Sequence, residues 1–132
     1  YVLSSGVPHS VQYALAAMFR AASDGRLNFV EHTREYARRA AHVKEIMKKN
    51  GFHIVYDKDC EQEVGDGFFF TFGYKNMTGE QLINKLIYYG ISAITLEPTG
   101  STREGLRGCV SMISDYQYDE FDKRLRLFSQ DY

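Results

Sequence analysis

From Gly67 to Tyr74 the chain reads Gly-Phe-Phe-Phe-Thr-Phe-Gly-Tyr, and this run restricts the fold more than any other. Successive residues of a strand point to opposite faces. Phe68, Phe70, Phe72 and Tyr74 therefore share one side, while Phe69 and Thr71 share the other. Aromatic side chains on both sides place this strand inside a sheet, away from its edge.

Upstream the hydrophobic period is helical. Val11 to about Ala22 is alanine-rich, with Ser10 positioned as a cap and Ser23-Asp24-Gly25 as a stop. A longer helix is expected from Asn28 to Lys49, with Val30, Tyr36, Ala37, Ala40, Ala41, Ile46 and Met47 on its apolar stripe and Val43 widening it. Arg34, Glu35, Arg38, Arg39, Lys44, Glu45 and Lys48 fall mainly on the wet side. Lys48 and Lys49 complement the negative end of the helix dipole, and Asn50-Gly51 ends it.

Short strands follow. Phe52 to Tyr56 is the first, and Asp57 to Asp66 is an acidic, turn-like, solvated stretch without the ligand order of a calcium loop. Thr78-Gly79-Glu80-Gln81 fits a capping box before Leu82, Ile83, Leu86 and Ile87, and Gly90 ends that helix. Ile91 to Leu96 and Leu106 to Ile113 read as strands flanking a polar loop. Ser114 or Asp115 opens a last helix with Tyr118, Phe121, Leu125 and Phe128 on its stripe. The order predicts an α+β fold: a small, mainly antiparallel sheet with helices on one face, preceded by a long helix.

Composition excludes several classes. The 132 residues carry a net charge of −1, which leaves no basic footprint for nucleic acid. No apolar run is long enough to cross a bilayer, so no membrane partner is expected. Cys60 and Cys109 are far apart and read as reduced thiols of a cytoplasmic protein, with a disulfide as the alternative. His9, His32, His42 and His53 lack the spacing of a zinc pair; His42 with Glu45 is the sole helix-spaced couple. Too few basic residues flank Phe68-Phe69-Phe70 for an RNA-stacking platform.

One residue stands out chemically. Arg107 sits inside a small, apolar strand just after the polar loop Gly100 to Gly105. A half-buried guanidinium is costly unless its planar fork meets an anion, and a carboxylate fits the fork in two parallel hydrogen bonds. Arg107 therefore either closes an internal salt bridge or holds a carboxylate ligand. Cys109 lies on the same strand face and reads as a small core residue.

Several segments, taken in order, resemble one family. Val7-Pro8-His9-Ser10-Val11-Gln12-Tyr13-Ala14-Leu15-Ala16-Ala17 resembles the segment and helix leading out of the large domain of fold-type-I pyridoxal-phosphate aminotransferases. The long helix resembles the one linking that domain to the small one, and Gly65-Asp66-Gly67-Phe68-Phe69-Phe70 resembles the small domain's first central strand. Gly90-Ile91-Ser92-Ala93 is similar to its helix, glycine, strand step. Gly105-Leu106-Arg107-Gly108-Cys109-Val110-Ser111 is similar to the strand carrying the family's arginine for the substrate α-carboxylate, although Gly108 replaces the branched residue of many members.

The resemblance implies a C-terminal small domain over residues 28–132, including the linking helix, with residues 1–27 returning from a missing large domain. It implies pyridoxal 5'-phosphate as cofactor of the whole enzyme, amino-acid and 2-oxo-acid substrates, and a homodimer. Arg107 is then the substrate-binding residue, and the chain alone, without the Schiff-base lysine, is expected to be inert. A lyase or an acyl-CoA condensing enzyme shares the scaffold, and a free-standing ligand-sensing module has the same element order.

Overall fold

The computed structural model describes residues 6, 8–64 and 67–132; the side chain of His32 is not among what it describes. Val7, Gly65 and Asp66 of the segments quoted above lie outside the described residues. The chain divides into two compact units, Tyr1–Arg34 and Glu35–Tyr132.

The first unit holds helix α1, His9–Ser23, and the start of helix α2, Phe29–Lys49. Pro8, not Ser10, occupies the N-cap of α1, and no side chain caps it. Proline's φ is already near −58°, so the first turn forms directly on its carbonyl, which accepts from Val11 and Gln12. No residue of α1 is buried, and Tyr13 is 78% exposed. Asn28 caps α2, its side-chain oxygen accepting from the amides of Val30 and Glu31.

The second unit is the α+β body. Its main sheet contains β1 (Phe52–Ile54), β4 (Phe69–Tyr74), β6 (Leu106–Cys109) and β5 (Ile94–Thr95) in the spatial order β1-β4-β6-β5, every pair antiparallel. β4 is central, as its aromatic alternation requires. The strands flanking the polar loop, Ile94–Thr95 and Leu106–Cys109, are shorter than their apolar runs.

The stretch expected to be an unstructured acidic loop contains a second, two-stranded sheet: β2 (Lys58–Asp59) pairs with β3 (Gln62–Glu63). Cys60 turns the chain with φ of +55°, and Lys58 lies opposite Glu63 in the register of the hairpin.

Helix α3 (Gly79–Leu86) begins on the expected capping box: Thr78 accepts from the Gln81 amide, and the Gln81 side chain accepts from the Thr78 amide. A 3-10 turn, Ile87–Tyr89, extends it to Gly90. A second reciprocal box, Ser114 with Gln117, opens a 3-10 turn that runs into α4 (Tyr118–Asp131).

All three helices of this unit contribute to one core on one face of the sheet. Ala40, Val43, Ile46 and Met47 of α2, Leu82 and Leu86 of α3, and Leu125 and Phe128 of α4 meet Phe52, Phe70, Phe72, Tyr74 and Leu106 of the strands. Val43 is the centre of the α2 stripe, being fully buried, whereas Ala37 and Ala41 are exposed and Arg39 is partly buried. The sheet, not the alanine content, selects the face. Asn50, which reads as a helix stop, is itself buried; its amide donates to the Ile46 carbonyl and to Asp122 of α4.

Candidate functional site

The placement of Arg107 begins with Gly105. Its φ is +142°, and a Cβ there would lie 2.8 Å from the Phe72 carbonyl oxygen and from the Val55 side chain. Only glycine passes this point comfortably. The next residue, Leu106, is fully buried in the core. Strand alternation then turns Arg107 to the opposite face, level with Thr71 of β4 and Ile94 of β5.

That opposite face is open. Phe69 is 53% and Ile94 50% exposed, and Cys109 is exposed beyond Arg107. Cys109 is therefore not a core residue: its expected parity holds, but the face it shares with Arg107 carries no helix of this unit. Its sulfur lies 3.1 Å from the Ser111 hydroxyl.

Three described arginines are half-buried: Arg39, Arg107 and Arg124. Arg39 pairs with Glu35 at 2.8 Å and Arg124 with Glu120 at 2.9 Å. Arg107 has no carboxylate partner among the described residues. Its guanidinium carbon instead lies 4.6 Å from the centre of the Phe69 ring. An aromatic contact holds a cation without neutralising it, and no hydrogen bond among the described residues occupies the N–H donors of Arg107. Chemically, this is a cation held in place without being neutralised, the condition a carboxylate ligand needs.

Arg103 is engaged differently. It donates to the Val55 carbonyl at 2.9 Å and stacks on Tyr56, whose hydroxyl is 2.7 Å from that of Ser101. These contacts tie the polar loop to the end of β1. An open groove of about 550 Å³ beside the loop includes Glu80, Glu97 and Glu104, whose charges oppose an anion. Glu104 already accepts from the first amide of α3.

The remaining charged groups build structure. Glu35 accepts from both Arg38 and Arg39, which hold its carboxyl down to about 2. Arg38 also reaches Asp115, whose carboxyl it pulls below the ordinary value, and Arg39 donates to the Ser111 carbonyl. This network ties α2 to the segment leaving β6. Arg38 stays exposed, as its wet-side assignment requires, whereas Arg39 is partly buried.

The lysines do not form a cofactor site beside Arg107. Lys49 pairs with Asp122, Lys123 with Glu120, and Lys85 stacks on Tyr132. Lys75 bonds the Tyr132 carbonyl, while Lys44, Lys48 and Lys58 line a cleft against α2. An amine for a Schiff base is thus missing from the open face among the described residues, and the groups present do not fit pyridoxal phosphate by themselves. No group of three or more histidine, cysteine, aspartate or glutamate side chains among the described residues is arranged to hold a metal ion. His42 packs on Tyr118, and His53 covers Gly73. No described helix is long and apolar enough to cross a membrane.

Phe69 as the partner of Arg107 and Asn50 as a buried tie are roles that no motif marked. Phe69 shares the face parity of Arg107's neighbour Thr71, so the alternation contained a hint of it; Asn50's burial had no local signal. Comparison with protein-family models and with curated proteins finds no match for this chain.

Proposed function

We propose that this chain supplies the α-carboxylate-binding part of a pyridoxal-phosphate-dependent aminotransferase, with Arg107 as the residue that grips the amino acid or 2-oxo acid. The observation that carries this reading is the half-buried Arg107 guanidinium on an open sheet face without an acidic partner among the described residues. Structural arginines at such depth ordinarily end on a carboxylate, as Arg39 and Arg124 do here. The ordered resemblance of the surrounding segments to the aminotransferase small domain supplies the reaction class.

In this reading the chain's own contribution is orientation. A bidentate clamp on the α-carboxylate fixes the rotation of the substrate about its α-carbon, which converts a loose encounter into a defined geometry. The cofactor supplies electron withdrawal when bound; its lysine and phosphate contacts belong to a large domain, so the isolated chain binds carboxylates without turning them over. Cytoplasmic amino-acid metabolism and a homodimeric parent accompany this assignment.

The test is Arg107→Lys in the parent enzyme, assayed with a panel of amino and 2-oxo acids. Lysine retains the charge and loses the fork. The expected result is a rise in KM of at least about tenfold, the scale of losing one charge-assisted hydrogen bond, for every substrate of the panel. Unchanged kinetics across the panel would remove the assignment.

A further inference from the structure

The geometry points to Phe69 as a positioning residue for Arg107: its ring, braced from α2, holds the guanidinium while no acidic partner among the described residues occupies its N–H donors. This rests on the reading of Arg107 as the carboxylate-binding residue, and it adds a residue that acts through Arg107.

An arginine on an open strand has a long, mobile stem, and ordering that stem on ligand binding weakens affinity. Two kinds of partner could order it beforehand. A carboxylate would do so by occupying the fork, which blocks the ligand. An aromatic face does so from the flat side and leaves the fork unoccupied. Phe69 supplies an aromatic contact, its ring centre 4.6 Å from the guanidinium carbon, and no hydrogen bond or ion pair among the described residues occupies the Arg107 donors.

The ring is itself held. Phe68 meets Phe69 edge-on at 6.3 Å, with an angle of 87° between planes, and Tyr36 of α2 meets Phe68 in the same manner at 4.6 Å. Edge-to-face contacts of this kind define ring orientation as well as burying surface. A chain of contacts therefore runs from α2 through Tyr36, Phe68 and Phe69 to the guanidinium. Phe69 is 53% exposed, and core packing does not account for an aromatic residue on this face.

The experiment is a titration of the 132-residue chain with pyruvate, and with methyl pyruvate as the uncharged control, followed through the Arg107 Nε–Hε signal by NMR. Before ligand is added, stacking shifts that proton upfield; Phe69→Leu abolishes the shift and Phe69→Tyr preserves it. The expected binding result is a pyruvate affinity about two- to fivefold weaker in Phe69→Leu, the range of an exposed cation–π contact, with wild-type affinity in Phe69→Tyr. Phe69→Met serves as a second ring-free variant if the leucine variant fails to give a folded amide spectrum. Equal pyruvate affinity in wild type and the ring-free variants overturns the role of Phe69 while leaving Arg107 as the ligand-binding group. Pyruvate binding that persists unchanged in Arg107→Lys, or no binding to wild type, overturns the Arg107 reading and Phe69's role with it.

Discussion

Phe70 lies so close beneath Gly108 that a Cβ on the glycine would come within 2.9 Å of its ring. Phe72 adds a contact at 3.2 Å from the same point. The space left by the missing side chain of Gly108 is thus filled from β4. This packing seats Leu106 and Gly108 on the core face and turns Arg107 outward. Gly108→Val should therefore destabilise the fold by about 1–3 kcal/mol, the range for overpacking a filled core, read from urea unfolding.

Arg107 itself is expected to matter little for stability. It has no ion pair among the described residues, and its contact with Phe69 is half-exposed. Arg107→Leu should shift unfolding by no more than about 1 kcal/mol. A larger loss in thermal or urea unfolding would mean that the guanidinium has a structural partner.

Leu125 is fully buried at the centre of the α4 stripe. Leu125→Ala should cost about 2–5 kcal/mol, the range for a leucine deleted from a core that relaxes only partly. Urea unfolding of both proteins measures it, with the slope checked to confirm that cooperativity is retained.

Asp122 illustrates a buried polar tie with a similar test. It accepts from the Asn50 amide at 2.8 Å, which holds the Asp122 carboxyl below its ordinary value. Asn50→Ala should destabilise by about 1–3 kcal/mol through the broken buried bonds, visible as a lower midpoint in urea.

Acid stability follows from Glu35. Its carboxyl is lowered from 4.5 to about 2 by hydrogen bonds from Arg38 and then Arg39. A depressed folded value means that this contribution is complete above pH 4.5 and declines as pH falls toward 2. The melting temperature should drop through that window. Glu35→Gln should flatten the part of the drop that belongs to this group, and an identical pH profile in the variant would exclude it.

Much of the second unit was readable from local pattern. The Thr78 box, the α4 stripe of Tyr118, Phe121, Leu125 and Phe128, and the central position of β4 all depend on spacing and nearest neighbours, so the chain displays them without its fold. The acidic stretch gave no such signal, because its hairpin turns on a non-glycine residue, Cys60, in a left-handed conformation. The start of α1 went to Pro8 instead of Ser10 for a related reason: backbone constraint outweighed a side-chain cap.

The sequence by itself determined the α+β class, the element order and the parity that puts Arg107 and Cys109 on one strand face, since these follow from periodicities along the backbone. Tertiary structure decided which of the two sheet faces the helices cover, that Cys109 is exposed, and that Phe69 rather than an acid meets the guanidinium. Those outcomes depend on groups distant in sequence competing for the same space, and no local pattern encodes the winner.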